Sequence, residues 1–458
     1  MKCSKTISQH SATSLRNLIQ IWLLCAVLLQ TITSGAQPVT KVAGGYYHSL
    51  FIKGDGSLWG MGANGAGELG DGTSNFRTNL PEQIVVSNVT AIAAGFEHSL
   101  FLKSDGSLWG MGYNSSGELG DGTYNSTNLP EQIVASNVTA IAAEAHSLFL
   151  KSDGSLWAMG WNEYGQLGDG TYSDTNRPEM ILASNVTAIS GYYHSLFLKS
   201  DGSLWAMGWN EYGQLGDGTY TNTNRPEMIV ASNVTAISAG CCHNLFLKSD
   251  GSLWAMGWNQ CGQLGDGFGG SNTSNKTNSP EQIVASGVTA IAAGGYHSLF
   301  LKSDGSLWAM GNNGYGQLGD GTYNNTNLPE QIVAGGVTAI AAGYYHSLFL
   351  KSDGSLWVMG YDNYGQLGNG AYGNTTNRPE QILAAYNQIS GRLLSGGSVR
   401  LSFVGIARAN YALDRSFSLA PPNWMTQLTN PAGSVGALVF TNTPDPTTNN
   451  FWRIRAVQ

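Results

Sequence analysis

The stretch His297-Ser298-Leu299-Phe300-Leu301-Lys302-Ser303-Asp304-Gly305-Ser306-Leu307-Trp308-Ala309-Met310-Gly311 holds two apolar runs joined by Ser-Asp-Gly. Asp-Gly between apolar runs is a strong hairpin signal, because both central positions accept φ > 0. Upstream, Val288-Thr289-Ala290-Ile291-Ala292-Ala293 is a β-rich run of small residues suited to a crowded inner position. Downstream, a Gly- and Asn-rich loop from Gly311 to Tyr323 leads to Pro329-Glu330-Gln331-Ile332-Val333. This run predicts an outer strand beginning at the proline, where the missing N–H costs least.

The same pattern occurs seven times between Val39 and Pro379. Its marker histidines are His48, His98, His146, His194, His243, His297 and His346, spaced by 50, 48, 48, 49, 54 and 49 residues. Four strands recurring at that period predict an all-β, seven-bladed β-propeller.

Repetition also sorts scaffold from chemistry. The tryptophans of Leu-Trp-x-Met-Gly (Trp59, Trp109, Trp157, Trp205, Trp254, Trp308 and Trp357) are expected to pack between blades. Equivalent histidines of adjacent blades lie about 10 Å apart, too far to share a zinc ion with bonds of ~2.1 Å. They read as structural, tying loop carbonyls through ring N–H groups. The aspartates of Gly-Asp-Gly (Asp71, Asp121, Asp169, Asp217, Asp266 and Asp320) each sit alone, without the spacing that converges oxygens on calcium. They read as turn residues. No nucleophile–base pair, carboxylate pair or phosphate loop rises above the repeat, so the sequence predicts a non-enzymatic chain with no cofactor and no metal.

Lys2, Lys5 and Arg16 precede the apolar run Leu18 to Leu29, followed by Ser34-Gly35-Ala36. Residues 1–36 therefore read as a secretory signal peptide cut after Ala36, with an uncleaved anchor as the alternative. The remaining chain would carry 19 Lys and Arg against 30 Asp and Glu, a net charge of −11. That balance, with no basic cluster, argues against nucleic acid as a partner. The chain is expected to be a monomer that is secreted, periplasmic or at the cell surface, with no membrane span after cleavage. Three cysteines would remain, Cys241, Cys242 and Cys261. One disulfide from Cys261 to either of the others, or none at all, are both open.

The third repeat reads His146-Ser147-Leu148, Asp153-Gly154-Ser155-Leu156-Trp157, then Gly160-Trp161-Asn162-Glu163-Tyr164-Gly165-Gln166-Leu167-Gly168. This resembles the RCC1 (regulator of chromosome condensation) repeat, in all seven copies. The resemblance implies one closed seven-bladed ring. It also implies functions that diverge: nuclear members act as nucleotide exchange factors and bind chromatin, whereas secreted bacterial members look like protein-binding platforms. The one candidate protrusion, Phe268 to Asn278 in the fifth repeat, lacks acidic character, and with a signal peptide the platform is the closer analogue. Exchange-factor-like activity remains a lesser alternative.

Two loop positions vary while their surroundings stay fixed. Before the marker histidine stand Tyr46-Tyr47, Phe96-Glu97, Glu144-Ala145, Tyr192-Tyr193, Cys241-Cys242, Gly295-Tyr296 and Tyr344-Tyr345. After Met-Gly the loops carry Tyr113, Trp161, Tyr164, Trp209, Tyr212, Trp258, Tyr315, Tyr361 and Tyr364. Tyr and Trp are enriched in binding hot spots. These nine residues are therefore the candidate partner-binding face, for an extracellular or envelope protein or, as a second class, a glycan. Packing against neighbouring loops is the competing role.

The propeller is expected over residues 37–386. Residues 387–458 have different punctuation and predict a small β-sandwich module that attaches or caps the propeller. The Asn-Val-Thr triplets at Asn88, Asn137, Asn185 and Asn233 fit a glycosylation pattern, yet recurrence within the repeat explains them without sugar.

Overall fold

The computed structural model describes residues 37–269 and 276–383, together with six strands in the C-terminal region. The segment read as a signal peptide, most of the candidate protrusion and the remainder of the C-terminal region lie outside the described residues. Residues 39–383 form seven four-stranded antiparallel sheets whose strand order follows the chain. In the first blade these strands are β1 (Val39–Gly44), β2 (His48–Lys53), β3 (Leu58–Ala63) and β4 (Arg77–Val85). The first strand of each blade touches the first strands of both neighbours, which sets it nearest the axis. The ring closes between the last blade and the first through Tyr344 N–H to Gly45 O at 3.2 Å and Val39 N–H to Gly354 O at 3.1 Å.

The second strand explains the cohesion. His48 to Ile52 are all buried, because the strand is covered on both faces. Successive side chains point to opposite faces. Leu50, Ile52 and Leu58 therefore meet Phe101 and Met111 of the second blade, while Phe51 and Met61 meet Leu348 and Val358 of the seventh. Seven such clusters, one per blade interface, replace a single central core. Met-Gly and Gln-Leu-Gly are two halves of the same contact. A Cβ on Gly120, at φ +68°, would lie 2.4 Å from Sδ of Met159 in the next blade.

Several expectations hold with a changed mechanism. In the hairpin, Gly305 N–H bonds Lys302 O at 2.9 Å and only the glycine takes positive φ, at +76°. Asp304 instead accepts from Ser306 N–H and Oγ–H at 2.9 and 2.5 Å, capping the turn. The outer strand does not begin at proline. Pro329 is the fourth residue of the strand Thr326–Val333, whose pairing is irregular between Ala309 and Gly311. An outer edge strand tolerates the missing donor there.

The tryptophans of Leu-Trp-x-Met-Gly belong to the interface clusters but are half-buried, at their rim. Each stacks on the phenylalanine of its own blade at 5.9–6.2 Å between centroids. A lysine ammonium caps its outer side at 3.5–4.0 Å. The fully buried wedge between blades is the phenylalanine.

The turn aspartates behave as expected, Asp169 accepting from Thr171 N–H at 2.8 Å. Asn162 Nδ2–H also donates to Asp169, at 3.2 Å. The seventh blade exchanges the two residue types, carrying Asp362 and Asn369, so its asparagine reflects a swapped pair. Asn88, Asn137, Asn185 and Asn233 all sit at φ of 68–70°, where Gly287 and Gly336 stand in the next two blades. Backbone geometry selects the asparagine at these positions. Cys241, Cys242 and Cys261 are all free, so neither proposed disulfide forms. The Cys241 and Cys242 thiols lie 3.1 Å apart, and Cys261 Sγ accepts from Asn312 Nδ2–H at 3.5 Å.

The C-terminal region contains two three-stranded antiparallel sheets. One orders Ser390–Leu393, Val399–Val404 and Ala437–Asn442; the other orders Met425–Pro431, Asn410–Ser416 and Phe451–Val457. No helix among the described residues is long and apolar enough to cross a membrane.

Candidate functional site

At one end of six of the seven blades, the loop before the marker histidine bonds the loop after Met-Gly. Trp209 N–H bonds Tyr193 O at 3.2 Å, and Trp258 N–H bonds Cys242 O at 2.8 Å. The same pairing recurs as Tyr113 with Glu97 and Tyr361 with Tyr345, both to the carbonyl oxygen. The two variable positions are therefore one surface.

Beneath this surface the histidines form a closed ring. Each Nε2 lies 2.7–2.9 Å from the residue after the marker histidine of the next blade: Ser99, Ser147, Ser195, Asn244, Ser298, Ser347 and, closing the circle, Ser49. Each of these residues in turn donates to the carbonyl of a Gln or Glu, as Ser99 Oγ–H does to Glu68 O at 2.7 Å. The hydroxyl proton being committed, the histidine must donate from Nε2. Asn244 makes the assignment independently, since its Oδ1 can only accept from His194. The partner is thus a side chain of the next blade, where the sequence suggested a loop carbonyl. Burial pushes these imidazoles down from 6.5 to about 3–4, so they are neutral. A Cβ on Gly45 would lie 2.6 Å from the His48 ring, which explains the glycine before most marker histidines. Among the described residues no cluster of three or more His, Cys, Asp or Glu is arranged to hold a metal.

Above the ring, eight of the nine candidate residues join a continuous aromatic arc. From the third blade it runs through Trp161, Tyr164, Trp209, Tyr212 and Trp258, with centroid separations of 5.2–5.8 Å. Tyr296 and Tyr345 carry it on to Tyr315, Tyr361 and Tyr364. Tyr364 then stacks on Tyr47 of the first blade at 4.3 Å. The contacts mix edge-to-face, stacked and tilted geometries. All these rings are only partly buried, Tyr315 being 37% exposed. Inside the arc, Tyr46 stacks on Tyr344 at 3.9 Å, and Tyr344 Oη pairs with Tyr296 Oη at 2.7 Å. The expected packing against neighbouring loops and the expected exposure are thus both present.

The ninth residue, Tyr113, lies where the arc is interrupted, lining a cavity of about 230 Å³. Its walls are Phe96, Tyr113, Trp161 and Tyr193, and Glu97, Glu118 and Glu144 reach it. Burial pushes all three carboxyls up, Glu118 to about 7. Sequence reasoning passed over these acids because they occupy three different repeat positions. The available signal was that Glu97 and Glu144 are the only charged residues before any marker histidine.

The profile of the RCC1-like domain matches residues 26–283 and 191–401. No curated protein sequence matches the chain. Among solved structures, Prp20p from Saccharomyces cerevisiae is similar at a TM-score of 0.65 and 24% identity, over 76% of this chain and 87% of that one. Human WBSCR16 is similar at 0.64 and 24%, over 72% of this chain and 94% of that one. Yeast RCC1 (Prp20) bound to Kap60 gives 0.64 and 22%, over 84% and 89%. With the histidine ring, the seven sequential blades and the profile spanning the whole propeller, the chain belongs to the RCC1-like domain family.

Proposed function

We propose that the chain is a non-catalytic, exported binding scaffold whose aromatic arc grips a protein partner. The observation that carries this reading is the arc itself: ten half-exposed rings of a repeat otherwise devoted to scaffold, already locked against one another. A pre-packed aromatic surface presents large contact area at little further entropic cost on binding. The similar structure of Prp20p was described with its binding to Gsp1p and histones, and yeast RCC1 with Kap60 bound, so this fold can present surfaces to proteins. An acidic balance and no basic cluster disfavour nucleic acid.

The test compares the chain from residue 37 with its W161A/W209A/W258A variant in affinity capture from extracellular and envelope material. The reading expects a partner retained by the parent and lost by a variant that still unfolds cooperatively. Collapse of the fold with no partner for the parent would assign the arc to stability instead.

A further inference from the structure

The interruption in the arc is a site in its own right. Three glutamates from three unrelated places in the repeat line one cavity. Glu97 stands where four other blades carry tyrosine and Glu118 where five carry glutamine, and Glu144, whose N–H bonds the carbonyl of its marker histidine, takes the place that glycine fills in five other blades. The fold does not call for charge at these places. Gln166 Oε1 accepts from Tyr164 N–H at 3.0 Å as Glu118 Oε2 accepts from Ser116 N–H at 3.0 Å, so an amide serves the turn equally. Glu118 is only 5% exposed, and Glu144 Oε2 is sealed from solvent with no hydrogen-bond partner. A carboxylate oxygen in that condition is costly unless something else completes it.

The walls say what would complete it. Phe96, Tyr113, Trp161 and Tyr193 surround the carboxyls, and no lysine or arginine lines the cavity. Aromatic faces with carboxylates at their base attract an organic cation, both by charge and by the ring quadrupole. The volume of about 230 Å³ falls below that of drug-sized ligand pockets. It suits a single side-chain head group.

We propose that this cavity receives the ammonium or guanidinium head group of a Lys or Arg side chain presented by the protein partner. The placement rests on the reading of the arc as a protein-binding face, since Trp161 is both the end of the arc and a wall of the cavity. The binding chemistry can be tested without any partner.

Saturation-transfer NMR on the chain from residue 37 would use Nα-acetyl-arginine amide and Nα-acetyl-lysine amide, with Nα-acetyl-citrulline amide as the uncharged control. Saturable millimolar binding is expected for at least one cationic probe, at least about tenfold tighter than citrulline. E97Q and E118Q should each weaken it by about tenfold, whereas E330Q, on the outer strand of the sixth blade, should leave it within twofold. E118Q is expected to fold, because glutamine is native there in five blades. No saturation by either cation up to 50 mM, equal binding of citrulline, or insensitivity to E97Q and E118Q would each overturn the proposal. Cation binding that persists while the triple tryptophan variant captures the same partner as the parent would refute the arc reading and leave the cavity standing.

Discussion

Lowering the pH from 6.5 to 5 should destabilise the propeller steeply, because its histidine ring is neutral. Burial holds His48 and His194 at about 4 and the other five at about 3. In the unfolded chain each titrates near 6.5. Protons therefore bind the unfolded state first, so this stability is complete above about pH 6.5 and is lost as pH falls towards 3–4. Each group contributes a slope of about 1.4 kcal/mol per pH unit in that window. Six raised acids work the other way, Glu82 and Glu97 among them. Burial raises Glu68, Glu118 and Asp362 to about 7, and Glu144 further. Between pH 5 and 6 these four are protonated when folded and ionised when unfolded, so acid favours the folded state through them. Seven protons against at least four leaves at most about three, an upper limit on the order of 4 kcal/mol lost per pH unit. From pH 6.5 to 5 the loss is at most about 6 kcal/mol, comparable with the low end of whole-domain stabilities of about 5–15 kcal/mol. Urea denaturation followed by circular dichroism at half-unit intervals from pH 5 to 8 measures this directly. Stability should peak near pH 6.5 and fall steeply below it. A flat profile between 6.5 and 5, or a gain on acidification within that window, refutes a ring of neutral, buried imidazoles.

Other outcomes follow from single contacts. E68Q should stabilise the chain by about 1–2 kcal/mol at pH 8 and by nothing below pH 4.5, since it removes a buried carboxyl whose ionisation opposes folding; urea midpoints at the two pH values check this. S99A leaves the His48 Nε2–H and the Glu68 carbonyl unpaired and should cost about 2–4 kcal/mol, whereas N244S, which restores the residue of the other blades, should stay within about 1 kcal/mol. N137A should cost about 1 kcal/mol at its left-handed position and N137G should be neutral. F300A should cost about 3–5 kcal/mol and W308A less, because the phenylalanine fills the interface and the tryptophan covers its rim; thermal unfolding of the pair ranks them.

The blade was legible in the sequence because its determinants are local. Asp304-Gly305, the Val288 run and the recurring Leu-Trp-x-Met-Gly each act within a few residues, and repetition multiplied the signal. What was missed acts between blades. The Ser99 that accepts from His48 lies 51 residues away, and the sequence names both without pairing them. Pro329 looked like a strand start because register irregularity against Ala309 leaves no trace in one copy. Trp308 looked like a buried wedge because its indole is larger than Phe300, but Lys302 capping it shows that it faces outward. The acids of the cavity escaped because aligning repeats hides departures that fall at different positions. Glu97, Glu118 and Glu144 line one cavity only when the second and third blades are set side by side.

The central claim is that the arc meets a partner, and oxidative footprinting of tryptophan tests it within one molecule. With the captured partner at saturation, Trp161, Trp209 and Trp258 should be protected several-fold, while the half-buried Trp59, Trp205 and Trp308 under their lysine caps react as in the free chain. Equal reactivity of the two sets with and without partner, or protection confined to the lysine-capped set, would contradict the account.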